Sequence, residues 1–332
     1  MNRASMIFAL LLAVLVPLSL LAGRVWIPPL GDGTPDAALI LMELRLPRAV
    51  LAIVIGAGLG AAGAAMQGYL RNPLADPGLF GIAPMAALGA VASFWIAPLL
   101  PPATAAWSLP LLALAGAGLG MGALALIAGR TASDAAAGAG GGIALFTLAG
   151  LMLASLAGAL TALAITLAPN PFALSEIVMW LNGALTDRSW REVMIAAPLT
   201  LAGIAVLALA ARSLDALTLG EAAARSMGVE PRGLLLLLVG GVGLTVGAGV
   251  AVAGIIGFVG LIVPHLVRPL TDRLPSSLLV PSALAGACLV LAADSAVRIL
   301  PLVTELRLGI ALSLIGAPFF GWLLVRMRRG RL

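Results

Sequence analysis

Three long intervals of the chain hold no acidic residue and no arginine: Asp76 to Arg130, Asp134 to Glu176, and Arg232 to Arg268. Each is well over the roughly 20 apolar residues that one helix needs to cross the hydrocarbon of a bilayer. A soluble domain has too little interior to hide such runs. The 332 residues are 61% hydrophobic and 10% charged, where an ordinary soluble domain is about 25% charged. In lipid every backbone polar group must be paired within the chain, so apolar runs of this length fold as helices. The expectation is an all-α integral membrane protein, a single transmembrane domain over residues 1–332, with about ten transmembrane helices in a bundle.

The spans fall at 6–22, 49–70, 79–100, 107–129, 139–168, 193–211, 233–253, 255–267, 278–293 and 308–325. The fifth is too long for one straight crossing and should tilt, kink or protrude. The eighth is short, and its boundary with the seventh is the least defined. The first resembles a secretory signal, but its apolar run of 17 residues exceeds a usual signal core and reads as a retained helix. Arginine counts in short loops set the orientation. With the N-terminus inside, twelve fall on the cytoplasmic side: Arg3, Arg71, Arg130, Arg212, Arg225, Arg232, Arg268, Arg273, Arg326, Arg328, Arg329 and Arg331. Seven fall outside: Arg24, Arg45, Arg48, Arg188, Arg191, Arg298 and Arg307. Both termini are therefore expected in the cytoplasm, and the outward arginines need a reason. Glycines four apart, at Gly56/Gly60, Gly116/Gly120, Gly118/Gly122 and Gly243/Gly247, offer the small faces on which membrane helices approach one another.

Several segments have local mechanics of their own. In Arg71-Asn72-Pro73-Leu74-Ala75-Asp76-Pro77, the proline after Asn72 ends the second span near Arg71, and Asp76 with Pro77 suits the start of the next helix. Between about 213 and 231, Thr218 and Glu221 fit a capping box, Glu221 and Arg225 an i,i+4 pair, and Gly228 and Pro231 a helix stop. A short, well-terminated helix outside the bilayer suggests a docking element. Asn170 and its flanking prolines break the fifth helix, and 175–185 reads as a short interfacial helix, with Trp180 and Trp190 in an aromatic belt.

Other chemistries find little support. The single His265 has no second ligand near it, and the single Cys288 lies in an apolar run, so neither metal site nor disulfide is expected. The chain has no Lys, so the GxxxxGK[ST] phosphate loop cannot occur and ATP hydrolysis would need another polypeptide. The net charge of +5 is spread over scattered arginines rather than a basic stripe, which argues against nucleic acid. An intramembrane enzyme lacks its HExxH or serine–base signature. A secondary transporter driven by an ion gradient usually carries unpaired acids in its spans. Here the acid nearest a span interior, Asp294, has Arg298 one turn away as a partner.

Seven motifs in order then resemble the FecCD-type permeases: LRLPR (44–48), the glycine-rich helix ending in Gln67, RNPLADP, WLNG (180–183), LGEAAARSMGV (219–229), GFVGLIVPH and LIGAPFF (314–320). The resemblance covers nearly the whole chain. It implies the membrane subunit of an ATP-binding-cassette importer for iron-siderophores, haem or cobalamin, in a bacterial inner membrane. It also implies no catalysis by, and no cofactor on, this chain; ATP is used by the partner subunit. Implied partners are a second copy (homodimer), two cytoplasmic ATPase subunits, a periplasmic substrate-binding protein and membrane lipid. Leu219, Gly220, Glu221, Ala224, Arg225, Met227 and Gly228 match the ATPase-coupling region. Arg45, Arg48 and Arg298 match positions that meet acidic residues of the binding protein, and Gln67, Asn72 and Arg307 are candidates for the substrate path. Two departures stand out: Ala83-Pro84-Met85-Ala86 where a Ser-Gly-Ala run is usual, and Arg307 in place of a proline in Glu305-Leu306-Arg307-Leu308-Gly309.

Overall fold

The computed structural model describes residues 3–23, 35–135 and 142–328, and within them the chain is a helical bundle. Thirteen α-helices follow in order: α1 (Arg3–Leu21), α2 (Pro35–Leu39), α3 (Leu46–Leu70), α4 (Ile82–Ile96), α5 (Pro102–Ala135), α6 (Gly142–Thr166), α7 (Pro171–Leu181), α8 (Trp190–Leu217), α9 (Glu221–Ser226), α10 (Pro231–Ala253), α11 (Val259–Val267), α12 (Pro275–Ile299) and α13 (Leu308–Arg328). Among the described residues, nine helices are long and apolar enough to cross a membrane: α1, α3, α4, α5, α6, α8, α10, α12 and α13. The expected spans thus have counterparts, and the eighth is the exception in length. Its nine helical residues rise only about 14 Å, less than half of the roughly 30 Å core. Non-helical backbone from Gly254 to Gly257 precedes it. Such backbone survives at depth only where protein surrounds it. The unusually long helix is α5, of 34 residues with Pro110 inside it, rather than the fifth span. The arginines assigned above at 24, 329 and 331 lie outside the described residues.

Small residues set the centre of the bundle. A Cβ on Gly56 would run into the carbonyl of Gly286, one on Gly60 into that of Ser282, and one on Gly63 into that of Gly260. Helix α3 therefore packs backbone against backbone on α12 and α11. Lipid gives no hydrophobic drive between helices, so this close contact supplies the dispersion energy that holds them. Gly116 meets α4 in the same way, and Gly243 and Gly247 meet α5, but Gly118 and Gly122 face open space and seal nothing. Helices α3 and α10 are the most enclosed spans and α1 lies at the rim.

The bundle has two ends, which anchor the functional description. The C-terminal ends of α3, α8, α11 and α13 lie at one end together with α9 and the first residues of α12. There Glu221 of α9 reaches Arg71 at 3.8 Å, and Ser276 donates its backbone N–H to Asp215 at 2.9 Å. The N-terminal end of α3 and the C-terminal ends of α1 and α12 lie at the other, where Arg298 donates to Ser19 Oγ at 2.7 Å.

Candidate functional site

At the α9 end, α3 stops with Arg71 in the left-handed region (φ 48°), and Asn72 turns the chain by accepting the N–H of Leu74 at 3.0 Å. Asp76 accepts the N–H of Gly78 at 2.6 Å, capping a 3-10 turn (Pro77–Phe80) before α4 begins at Ile82. Burial raises the Asp76 carboxyl above its usual range, and the Gly78 hydrogen bond only partly offsets this. Helix α9 follows with one correction. Thr218 does not cap it. Its hydroxyl donates to the carbonyl of Asp215 at 2.7 Å, inside the last turn of α8. The N-cap is Gly220, at φ 104°, a conformation costly for any residue with a Cβ. The reason is that α8 runs six residues beyond the expected stop, so Thr218 is used to end that helix instead. Glu221 and Arg225 pair at 3.9 Å, and Gly228 (φ 86°) ends the helix, its N–H bonding to Arg225 O at 2.9 Å. Ala224 is buried against the bundle while Leu219 and Met227 are 68% and 63% exposed. A six-residue helix is thus pinned on one side and presents two large apolar side chains on the other.

Deeper in, distant motifs converge. Gln67 is 2% exposed. Its amide donates to the carbonyls of Gly260 (3.3 Å) and Leu261 (3.2 Å), and its Oε1 accepts from Arg268 at 2.9 Å. In this conformation Gln67 is a strut between α3 and α11, and Asn72 acts within its own turn. The enclosed space lies beside them. A cavity of about 100 Å³ is lined by Asp76, Pro77, Pro84, Ile255 and Phe258, among others, so RNPLADP and the GFVG break share one wall. Pro84, one of the departures noted above, lies on that wall.

The opposite end holds a charge cluster that pattern reading placed differently. Arg45, Arg48 and Arg298, expected as an outward docking rim, are turned inward. Arg45 is 9% and Arg298 7% exposed, and the Arg48 side chain 11%. The reason is that each finds an acid or a helix end inside the bundle. Arg48 binds both oxygens of Asp294, with contacts of 2.8–3.0 Å, and also grips Glu305. Asp294 is fully buried. The Nε of Arg298 lies 3.2 Å from its Oδ2, an electrostatic contact not aligned as a hydrogen bond. Arg45 closes the end of α1 by donating to the carbonyls of Leu20 (2.7 Å) and Leu21 (2.9 Å). Sequence reading found the Asp294–Arg298 pair from its spacing but missed Arg48 and Glu305. Those contacts span 246 and 257 residues, and no local pattern signals them.

Glu305 sits in the segment before α13. Burial pushes its carboxyl up, but the hydrogen bonds and charge of Arg48 outweigh this and hold it below the usual range. Arg307, two residues on, is half-buried and close enough to Arg188 to repel it. Burial depresses the Arg188 guanidinium first, with Arg191 and Arg307 adding to the effect. Trp180 is a second correction: it is 9% exposed and part of the core, because α7 (Pro171–Leu181) folds back under the 182–185 turn, where Ala184 donates to Ala253 O at 2.8 Å. Trp190 stays at the edge, its indole N–H donating to Met42 O at 3.1 Å. Among the described residues no cluster of His, Cys, Asp or Glu is arranged to hold a metal ion.

An all-α bundle with nine long apolar helices among the described residues has the form of a multi-pass membrane protein. The chain belongs to the FecCD transport family, which it matches over residues 7–326. It is 37% identical to the hemin transport system permease protein HmuU of Yersinia pestis, over 88% of this chain and 85% of that one. It is 38% identical to the Fe(3+) dicitrate transport system permease protein FecD of Escherichia coli K12, over 87% and 86%. It is also 35% identical to the vitamin B12 import system permease protein BtuC of Klebsiella pneumoniae, over 96% and 92%. In three dimensions it is similar to a solved metal-chelate type ABC transporter in an inward-facing conformation, with a TM-score of 0.86 and 28% identity over 97% of this chain and 98% of that one.

Proposed function

We propose that this chain is the membrane permease subunit of an ATP-binding-cassette importer that moves an iron chelate (haem or a ferric siderophore) or cobalamin across a bacterial inner membrane. In this reading two copies form the path. Two ATPase subunits work at the α9 end, which is then cytoplasmic like both termini, and a binding protein delivers cargo at the other. The observation that carries it is α9. Its buried Ala224 seats it on the bundle beside the end of α8, and the exposed Glu221–Arg71 contact guides it against the end of α3, so a push on the exposed Leu219 and Met227 is passed toward α3, one of the two most enclosed spans. From α3 the push passes through Gln67 to α11 and to the irregular backbone at Gly254–Gly257. Rigid helices in close contact transmit such displacement with little loss.

A gradient-driven carrier is the competing reading. The most buried acid, Asp294, is held by two arginines, so it is not the unpartnered intramembrane acid that ion-coupled carriers use. The chain reconstituted in proteoliposomes with ATPase and binding-protein partners should take up ferric chelate or cobalamin only with ATP. Leu219→Glu and Met227→Glu should uncouple hydrolysis from uptake while leaving the folded bundle intact. Uptake by the chain alone under a proton or sodium gradient would refute the importer reading.

A further inference from the structure

A cavity of about 510 Å³ opens at the α9 end between the ends of α3, α11 and α13. Its cationic wall is Arg268, Arg273 and Arg326, and its aromatic wall is Phe319 and Trp322. Among the described residues none of the ion pairs involves any of these three arginines. Arg268 is held in place by Gln67, yet its Nε is buried with no partner, and so is Nδ1 of His265 in the same cavity. Arg326 lies over the Trp322 ring, 5.2 Å from its centroid. Three like charges gathered with no ion-paired acid among the described residues repel one another, a repulsion that an anion in the cavity would relieve.

The second observation lies next door. A groove of about 370 Å³ between α1, α11 and α12 is lined by apolar groups including Phe8, Leu15, Val263, Cys288 and Ala292. Leu266 lines both spaces. The two helices α1 and α12 run in the same direction, and the α12 wall of the groove runs from Ala285 to Ala292, about 10 Å at 1.5 Å per residue. A cationic chamber at a membrane face that continues into an apolar slot fits a molecule with an anionic head and an acyl tail. We propose that this is a binding site for an anionic phospholipid, with phosphate among Arg268, Arg273, Arg326 and His265 and one acyl chain along the α1–α11–α12 groove. Basic recesses between membrane helices recognise such headgroups in this way.

The test uses the full chain in detergent, stripped of lipid and titrated with phosphatidylglycerol, phosphatidylcholine or inorganic phosphate, with binding read by native mass spectrometry. Arg273 and Arg326 are exposed, so Arg273→Gln with Arg326→Gln should fold. At about fivefold per arginine, the double variant should lose roughly twenty-five-fold in phosphatidylglycerol affinity and leave phosphatidylcholine unchanged. Ala292→Trp, which fills the slot, should weaken phosphatidylglycerol but not inorganic phosphate. A photoreactive phosphatidylglycerol should label the peptides carrying Leu266 and Cys288. Equal binding of the two lipids in wild type, or phosphate binding as tightly as phosphatidylglycerol, would overturn the proposal. So would a double variant that keeps its lipid preference but no longer associates with an ATPase subunit, which would make the cavity a protein-docking surface.

Discussion

Both ends of the bundle gather arginines, but they treat them in opposite ways. At the α3 N-terminal end, Arg48 and Arg298 share one buried acid, Asp294, and Arg48 takes a second, Glu305. At the α9 end, Arg268, Arg273 and Arg326 face one cavity, and among the described residues no acid is paired to them. The first arrangement is closed: it joins α3, α12, the segment before α13 and, through Arg298 and Arg45, the end of α1. The second is open and waits for an outside anion. Position along the chain does not decide which kind an arginine will be. What decides it is whether another element brings a carboxylate to it.

The sharpest way to break this contrast is at Asp294. Asp294→Ala leaves two buried guanidinium groups facing each other, and removing one partner of a buried ion pair costs about 3–5 kcal/mol. The variant should show the largest loss of thermal stability in detergent, and its folded yield should fall with it. A loss below about 1 kcal/mol, the range of solvent-exposed pairs, would mean that water already reaches the cluster and that the two ends do not differ as described.

How much of this could be read beforehand follows the range of the interaction. Spans came from composition, and the Arg71 stop, the Asp76 cap (Asp76 Oδ1 accepts from Gly78 N at 2.6 Å) and the Gly228 stop came from local backbone rules. Thr218 was misassigned because two helices compete for it, and local rules do not say which wins. Arg45, Arg48 and Arg298 do gather at the end opposite α9, but their burial was not legible for a different reason. Charge counting assumes that each loop arginine faces water, and it has no term for Glu305 arriving from 257 residues away. Gln67 was singled out through the family resemblance, and the three long-range hydrogen bonds by which it ties helix to helix had no local signal.

Acidity gives a graded test of the closed end. Glu305 is held below its usual range in the folded protein, so the folded state binds its proton less readily than the unfolded state does. Stability from this group is complete above the unfolded value of about 4.3 and is lost as pH falls through the lower folded value. Wild type should therefore lose melting temperature below about pH 4.3. Glu305→Gln should be less stable than wild type at pH 7, and the gap should narrow as the medium is acidified. A gap that stays constant down to pH 3 would show that Glu305 contributes through packing and not through charge.

The smallest effect belongs to the contact that couples α9 to α3. Arg71 and Glu221 lie 3.8 Å apart with side chains 43% and 32% exposed, so water screens them and each retains rotamer freedom. A double-mutant cycle with Arg71→Ala and Glu221→Ala should return less than about 1 kcal/mol of coupling, shrinking further at 1 M salt, where charges are screened within about 3 Å. The weakness suits a joint that must move: a strong pair would lock α9 to one position, while a screened one guides it and still lets it shift. If the cycle instead returned several kcal/mol and resisted salt, α9 would be welded to α3 as firmly as Arg48 is to Asp294. The proposed division between a rigid end and a responsive one would then be lost.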